Sequence, residues 1–257
     1  MRQEGFLDDF APISLEETNR RASLLRRVDT KYVIRPDQLD WVLAHWKNSH
    51  QILEIDGNRI FHYHSVYYDT PALDLYHAHH SGAASRVKFR TREYTDSQQA
   101  YYEIKNRANT GVTDKQRIRV RALDQLPPLL TEASKQYPRR LGGQLIGEVL
   151  RVDYDRITLV SREGGERITV DLNLSYRAAG KVEHYPDRVI IEIKHARGVR
   201  TRERDLFRSL GIRPGSISKY CLGSLSLYPN VKKNRFQLPL RILAKQLTDH
   251  GAAASTG

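Results

Sequence analysis

The stretch SRVKFRTREY, residues 85–94, places Arg86, Lys88, Arg90 and Arg92 at every second position. In an extended strand successive side chains point to opposite faces, so the four cations share one face and the mainly apolar residues between them share the other. Such alternation is typical of a half-buried strand with a solvated outer face. The rest of the sequence must decide whether this face is ordinary surface or a site for an anion.

Further segments show the same alternation and are rich in β-branched and aromatic residues, which indicates strands. The eight predicted strands are RVDTKYVI, RIFHYHSVYYDT, SRVKFRTREY, AYYEIKNR, DKQRIRVRAL, VLRVDYDRITLV, ERITVDLNL and RVIIEIKHA. Gly164 and Gly165 predict a two-residue hairpin turn between two of them. The connections are too short for repeated parallel crossovers, so we predict a mainly β (α+β) fold with a mainly antiparallel sheet and peripheral helices. If this sheet closes on itself, the polar set of side chains lines a lumen and the aliphatic set faces outward under the helices.

Helices are predicted where apolar residues recur at intervals of three and four, or where a proline or a capping residue opens a suitable segment. The predicted helices are residues 14–25, 36–48, 71–80, 127–136 and 201–211. Residues 230–257 are basic and then small and polar, which predicts a peripheral C-terminal tail.

Composition limits the possible partners and compartment. The chain has 257 residues and a net charge of +12, which favours an anionic partner such as a nucleic acid, an anionic membrane surface or a phosphorylated small molecule. Cys221 is the single cysteine, so no intrachain disulfide forms. The acidic N-terminal segment lacks the apolar region of a signal peptide, so we expect a cytoplasmic protein. No apolar run is long enough to span a membrane.

One-sided cations recur in several of the predicted strands, with only a few carboxylates among them. Adjacent like charges on paired strands repel, so a face of this kind is costly unless a multivalent anion neutralises it. Glu103 and Glu192 lie two residues before Lys105 and Lys194, in the segments YEIK and IEIK. Each glutamate could bind Mg²⁺ or Mn²⁺ together with substrate phosphates, or could pair with a neighbouring cation, and the residue types leave both readings open.

Short motifs in a fixed order from residue 20 to residue 225 resemble the catalytic domain of the vacuolar transporter chaperone (VTC) family, a branch of the triphosphate tunnel metalloenzymes. These motifs are Lys31-Tyr32, Lys88 with Arg90 and Arg92, Glu103-Ile104-Lys105, Lys115 with Arg117, Tyr154-Asp155-Arg156, Arg167, Glu192-Ile193-Lys194 and Ser218-Lys219-Tyr220. The resemblance implies an eight-stranded antiparallel closed β-barrel, the triphosphate tunnel, in a single domain over residues 1–229 with an N-terminal helical segment. It also implies a metal-dependent polyphosphate polymerase that transfers the γ-phosphate of ATP to a growing chain.

The resemblance and the cationic rows together assign roles to individual residues. The residues expected to be catalytic, by holding the reacting phosphates, are Lys31, Arg90, Arg92, Lys105, Arg156 and Lys194. Further phosphate or nucleotide contacts are expected from Lys88, Lys115, Arg117, Arg119, Tyr154, Arg167, Ser218 and Lys219. The resemblance assigns a metal, Mn²⁺ or Mg²⁺, to Glu192, and Glu103 is the second candidate ligand.

The sequence departs from the hydrolytic relatives of this family at one point. Those relatives have a Glu-x-Glu-x-Lys motif, whereas residues 27–31 read RVDTK. The missing glutamates favour a polymerase that uses ATP and orthophosphate or polyphosphate. Three alternatives remain: a triphosphatase or nucleoside triphosphatase of the same fold, a non-catalytic polyphosphate sensor, and a nucleic-acid-binding module. No nucleic-acid partner is expected, and a membrane or regulatory function would come from a partner protein.

Overall fold

One curled antiparallel sheet dominates the fold. The structure is a computed structural model that describes residues 4–21, 27–110, 112–121, 125–137, 141, 143–196, 198, 201–215 and 218–237. The strands are β1 (Pro12–Ile13), β2 (Arg27–Ile34), β3 (His50–Leu53), β4 (Phe61–Asp69), β5 (Arg86–Tyr94), β6 (Gln99–Arg107), β7 (Thr113–Val120), β8 (Gly147–Ser161), β9 (Glu166–Ala178), β10 (Lys181–Tyr185) and β11 (Val189–Ala196).

Helices flank this sheet and connect its strands. They are α1 (Glu4–Leu7), α2 (Leu15–Arg21), α3 (Pro36–Trp46), α4 (Asp74–Ser81), α5 (Leu126–Gln136), α6 (Arg202–Ser209) and α7 (Lys219–Leu227), and a short 3₁₀ turn covers Thr95–Ser97. In the described part of the chain, no helix has both the length and the apolar character needed to cross a bilayer.

Eight strands form the main path of the sheet, in the order β2-β11-β9-β8-β4-β5-β6-β7, and every neighbouring pair on this path is antiparallel. This confirms the predicted eight-stranded antiparallel architecture. β3 and β10 extend the sheet beside β8 and β9, and β1 pairs parallel with β3.

The predicted closure of the barrel is not seen in the described strands, because β2 and β7 form the two ends of the path and do not pair with each other. The sheet instead curls into an open half-barrel. Lys31 on β2 is close enough to lower the pKa of Lys88 on β5 and of Lys105 on β6, although these strands lie at opposite ends of the path.

The convex face of the sheet carries the apolar half of each alternating strand and is covered by helices. Trp46 and Leu43 of α3 and Phe207 of α6 are fully buried against one half of the sheet, and Phe207 stacks on Tyr32 with ring centroids 4.0 Å apart. A second apolar cluster lies between α5 and the half formed by β4 to β7. Packing against these helices fixes which face of each strand is inside, so the polar half must face the concave side.

Helix α7 lies at one end of the concave face and was not predicted from the sequence. Its residues Tyr220, Cys221 and Leu225 are buried in a cluster with side chains of β4, β8 and β9. Gly223 permits the close approach, since a Cβ atom there would lie 2.4 Å from Tyr176 Cδ1. The sequence KYCLGSLSL has weak helical patterning, so tertiary contacts stabilise this helix more than local propensity does.

Most predicted elements agree with the structure. RVDTKYVI matches β2 residue for residue. Gly164 and Gly165 lie in the β8–β9 hairpin with φ of 76° and 73°, but the predicted two-residue turn is wrong, because β8 ends at Ser161 and β9 begins at Glu166 and the loop therefore spans residues 162–165. The sequence analysis did not identify β1, β3 or β10. Residues 22–25 of the first predicted helix and 238–257 of the predicted tail lie outside the described residues.

Candidate functional site

The concave face brings the cationic side chains of β5, β6 and β7 into register. Residues that lie directly opposite on antiparallel strands point to the same face. Three rows cross these strands: Lys88, Lys105 and Lys115; Arg90, Glu103 and Arg117; Arg92, Tyr101 and Arg119. The predicted one-sided cations therefore form one continuous surface.

The lysine row carries a repulsive cost in the absence of an anion. Burial lowers the pKa of Lys88 to about 8, and the positive charges of Lys31 and Lys105 act in the same direction. Burial also lowers the pKa of Lys105 and of Lys115. An anion placed between these ammonium groups would relieve both the desolvation and the repulsion.

Glu103 neutralises part of this surface. Its side chain is only 2% exposed. Arg90 Nε donates to Glu103 Oε2 at 2.7 Å, and Lys115 Nζ donates to Glu103 Oε1 at 2.6 Å. Burial alone would raise the pKa of Glu103, but the charges of Arg90, Arg92 and Lys115 outweigh it and hold this pKa well below its usual range. Both carboxylate oxygens of Glu103 are thus occupied by protein cations.

Asp171 on β9 has the same arrangement in the other half of the sheet. Arg156 on β8 binds it with two parallel hydrogen bonds, Nε to Oδ1 at 2.6 Å and Nη2 to Oδ2 at 2.9 Å, and Lys219 of α7 donates to Oδ2. The Asp171 side chain is fully buried, and the two cations keep its pKa below the usual range against the opposing effect of burial. The sequence analysis missed Asp171 because one aspartate in an alternating strand gives no signal of its partners.

Glu192 on β11 is held more loosely than the other two carboxylates. Lys194 Nζ lies 3.5 Å from its Oε2, and Lys31 Nζ lies 3.9 Å from its Oε1. Burial opposes ionisation of Glu192, but nearby cations, Lys31 and Lys194 first, hold its pKa well below the usual range. Burial lowers the pKa of Lys194 to about 8. Ion-pair distances of this length leave Glu192 oxygens able to bind a divalent cation, whereas those of Glu103 are held at hydrogen-bond distance.

The curl of the sheet joins the two halves. Lys88 Nζ of β5 donates to Oγ of Ser218 at 2.9 Å, and the same Oγ accepts the backbone N–H of Cys221 and so caps helix α7. Ser218 and Lys219 therefore lie where β5 approaches α7, close to the pair formed by Asp171 and Arg156. Arg167 joins the same face as Lys194, because these residues are opposite each other on β9 and β11.

Tyrosines form the base of the concave face beneath the cations. Tyr63 and Tyr154 stack with centroids 5.2 Å apart, and the guanidinium carbons of Arg92 and Arg156 lie 5.4 and 5.0 Å from the Tyr63 centroid. Lys219 Nζ lies 4.4 Å above the Tyr154 ring. These contacts orient cations through the ring faces. Tyr154 is 1% exposed, and within the described residues its hydroxyl has no hydrogen-bond partner.

The outer members of the predicted set lie at the β7 edge. Arg119 is exposed, and Arg117 places its guanidinium carbon 3.5 Å from the centroid of Tyr101 while donating to the hydroxyl of Tyr94 at 2.9 Å. The structure thus places all the predicted site residues along the concave face, with Arg117 and Arg119 at its margin.

Comparison with known protein families assigns the domain. The sequence model of the VTC domain matches residues 26–228, which is most of the chain. Among curated proteins, none matches the chain. Similar solved structures include the PH1819 protein from Pyrococcus horikoshii, at 17% identity and a TM-score of 0.45 over 76% of this chain and 97% of that one.

Two further solved structures are similar to this chain over a comparable share of its length. The putative adenylyl cyclase HpAC1 from Hippeastrum, described as having a dominant triphosphatase activity, shares 14% identity with a TM-score of 0.45 over 77% of this chain and 96% of that one. A putative adenylate cyclase from Bacillus halodurans shares 10% identity with a TM-score of 0.49 over 79% and 97% of the two chains. Because these similarities are low, the assignment rests on the domain match, and the chain belongs to the VTC domain family.

Proposed function

We propose that this protein is a metal-dependent polyphosphate polymerase, which transfers the γ-phosphate of ATP to the end of a polyphosphate chain on the concave face of its sheet. The observation that carries the proposal is the excess of positive charge on that face. Cations from both halves of the sheet surround Glu103, Asp171 and Glu192 and outnumber them. A chain of phosphates supplies the missing negative charge.

The opposite face of the sheet argues against a nucleic-acid-binding surface. Helices α3, α5 and α6 cover the convex side with apolar contacts, so the cations are gathered inside the curl rather than spread over an outer surface. A nucleic-acid reader commonly presents aromatic side chains for base stacking, whereas Tyr63 and Tyr154 are buried beneath the cations. This arrangement favours a narrow polyanion such as triphosphate or polyphosphate.

The proposed reaction needs alignment and charge neutralisation more than acid–base chemistry. A terminal oxygen of the acceptor phosphate forms a bond to the γ-phosphorus, the bond from that phosphorus to the β-bridging oxygen breaks, and ADP leaves with the electron pair. The acceptor oxygen is already ionised at neutral pH, so no side chain must remove a proton. In such a transfer the protein contributes mainly positioning and electrostatic stabilisation.

Each cluster has a distinct part in this proposal. The lysine row of Lys88, Lys105 and Lys115 binds phosphate oxygens as point charges. Arg90 and Arg156 are oriented by Glu103 and Asp171, so their guanidinium groups are preorganised toward phosphates. The other predicted cations extend this phosphate-binding surface on both sides of these residues. They are Lys31, Arg92, Lys194, Lys219, Arg167, Arg117 and Arg119.

The donor set fits a divalent metal at Glu192. Its oxygens lie beyond hydrogen-bond distance from Lys31 and Lys194, and one or two carboxylates plus substrate phosphates are the usual ligands of Mg²⁺ and Mn²⁺. The metal, when bound, supplies additional neutralisation of phosphate charge. The second candidate ligand, Glu103, is already paired on both oxygens, so we propose that it orients Arg90 instead.

A direct assay tests the proposal. Purified protein incubated with ATP, Mn²⁺ and a short polyphosphate primer should produce ADP and acid-insoluble phosphate polymer. Replacing Arg90 or Lys194 by Ala should lower turnover by roughly 30-fold to 1,000-fold, since each lost contact to a developing charge costs about 2 to 4 kcal/mol. Arg162→Ala is the matched control, because Arg162 is an exposed arginine at the β8–β9 turn, away from this face.

The outcomes separate the competing functions. Release of orthophosphate without polymer would identify a triphosphatase of the same fold. Tight binding of polyphosphate with unchanged ATP across metals and primers would identify a sensor. Equal activity of the Arg90, Lys194 and Arg162 variants would place the reaction elsewhere on the molecule.

A further inference from the structure

A buried cluster of metal-binding residue types lies away from the concave face. It consists of His50 on β3, Glu166 at the start of β9 and Glu203 in the first turn of α6. Each offers one ligand atom, and the three atoms lie within 4.8 Å of one another. The residues are 2%, 9% and 7% exposed, so the cluster is enclosed by protein.

The position of Glu166 separates this cluster from the phosphate site. Along β9, Arg167, Thr169 and Asp171 point to the concave face, so the side chain of Glu166 points to the convex face. His50 lies against Trp46 of α3, with ring centroids 5.9 Å apart, and Trp46 belongs to the apolar cluster beneath α3 and α6. The proposed phosphoryl transfer uses none of the three residues.

Two buried carboxyl groups beside each other can both be ionised only if a cation compensates them. Glu166 and Glu203 both reach the cluster from elements that packing holds in place, and His50 can supply at most one positive charge. A divalent cation would balance both carboxylates and leave His50 neutral, which is the form of histidine that binds metals.

The imidazole of His50 is oriented as a metal ligand requires. Its Nδ1 contacts Oγ of Ser49 at 2.9 Å, which leaves Nε2 directed at the carboxylate of Glu166, 3.1 Å away. A second hydrogen bond of this kind fixes the ring and selects the ligating nitrogen. In a tetrahedral zinc site, bonds near 2.0–2.1 Å put ligand atoms about 3.3 Å apart. The distance of 3.1 Å between His50 Nε2 and Glu166 Oε1 is close to this separation, and the Glu203 oxygen lies within 4.8 Å of both atoms.

We propose that His50, Glu166 and Glu203 bind one structural Zn²⁺ that ties β3, β9 and α6 together. A nitrogen ligand with two carboxylates favours zinc over magnesium, which prefers oxygen ligands alone. Three protein ligands leave a fourth position for water, and the burial of the cluster keeps substrates from reaching it. The metal therefore stabilises the packing of α6 on the sheet and takes no part in the transfer reaction.

Calorimetric and thermal titration of the metal-free protein with Zn²⁺, in the absence of nucleotide and polyphosphate, tests this site. We expect one zinc ion per chain and a rise in Tm that grows with zinc concentration, since a ligand that binds only the folded state stabilises it. Mg²⁺ at the same concentrations should leave Tm unchanged. Glu203→Gln and His50→Gln should each weaken zinc binding tenfold or more and abolish the rise.

Glu192→Gln is the matched control, because it alters the proposed ligand of the phosphate site and leaves this cluster intact. It should keep the zinc stoichiometry and the rise in Tm. The proposal is overturned if zinc leaves the Tm of the unsubstituted protein unchanged, or if Glu192→Gln abolishes the rise and Glu203→Gln does not.

A spectroscopic measurement keeps the test decisive if a ligand variant fails to fold. X-ray absorption of the zinc-loaded Glu192→Gln protein should show one imidazole nitrogen, with oxygen atoms as the remaining ligands. A sulfur ligand, from either Cys221 or Met1, or two or more imidazole ligands would refute the assignment.

Discussion

Replacing Glu103 by Gln separates its two possible roles, ion-pair partner and metal ligand. In the structure its buried carboxylate holds Arg90 at 2.7 Å and Lys115 at 2.6 Å, with Arg117 3.7 Å away. Glutamine has nearly the same shape but no charge, so Glu103→Gln leaves these cations without their counter-charge. We expect the folded protein to be less stable and Arg90 to lose its ion pair with residue 103. The metal requirement of the reaction should stay unchanged.

The loss of stability expected for Glu103→Gln is large because the Glu103 carboxylate is buried. Breaking a buried ion pair by removing one partner costs about 3 to 5 kcal/mol. Lys115 is 44% exposed and is therefore partly screened by solvent, which favours the lower end of that range. A loss of about 3 kcal/mol would lower Tm by about 6 to 12 °C in a domain of this size.

Thermal unfolding with and without tripolyphosphate is the assay. The added anion supplies the charge that Glu103→Gln removes, so tripolyphosphate should raise Tm more in the variant than in the unsubstituted protein. Glu192→Gln is the comparison, and it should weaken the dependence of activity on Mn²⁺. It should change the Tm of the metal-free protein less than Glu103→Gln does, because Lys194 Nζ and Lys31 Nζ lie 3.5 and 3.9 Å from the Glu192 oxygens.

The pH dependence of stability gives an independent check. The pKa of Glu103 in the folded protein is depressed below its ordinary value of 4.5, so its stabilising contribution is present above that pH and is lost as the pH falls. Glu103→Gln should reduce the acid-side loss of stability. The reasoning is refuted if Glu103→Gln leaves Tm unchanged and instead raises the Mn²⁺ concentration needed for activity tenfold or more.

Three further changes probe the site and its support. Because burial lowers the pKa of both Lys88 and Lys194 to about 8, kcat/KM for ATP should fall as the pH rises through 8. Replacing both lysines by Arg, whose charge persists, should move this fall to higher pH, and an identical profile in the double variant would exclude both lysines as the titrating groups. Gly223→Ala should lower the free energy of unfolding by about 1 to 3 kcal/mol, because the new Cβ would lie 2.4 Å from Tyr176 Cδ1. Denaturant unfolding measures this change, and unchanged stability would show that α7 can shift away. Trp46→Ala should lower the free energy of unfolding by about 3 to 5 kcal/mol, because it leaves a cavity beneath α3. The folded fraction at low temperature should still synthesise polymer. Loss of synthesis in fully folded protein would contradict a purely structural role for Trp46.

Local pattern was sufficient for most of the fold. The alternation in β5, β6 and β7 assigned both the strands and the face of each cation, because the period of two in an extended chain is fixed by backbone geometry. The paired glycines at the β8–β9 turn likewise identified the hairpin. Helix α7 escaped prediction because its stability comes from packing on Tyr176 and Leu150 rather than from its own residues.

Pairing between distant residues could not be read from the sequence. Lys88 meets Ser218, and Asp171 is shared by Arg156 and Lys219, through contacts that span 130, 15 and 48 positions of the chain. The cluster of His50, Glu166 and Glu203 was missed for the same reason, since its members come from three elements with no common motif.

The sequence by itself determined that the cations lie on one face of an antiparallel sheet, since side-chain direction in a strand depends only on local backbone geometry. Only the tertiary structure decided how far that sheet curls, that its edge strands β2 and β7 stay unpaired, and which carboxylate neutralises which cation. These features depend on strand order and on helices packed against the convex face, and such long-range contacts leave no periodic signal in the chain.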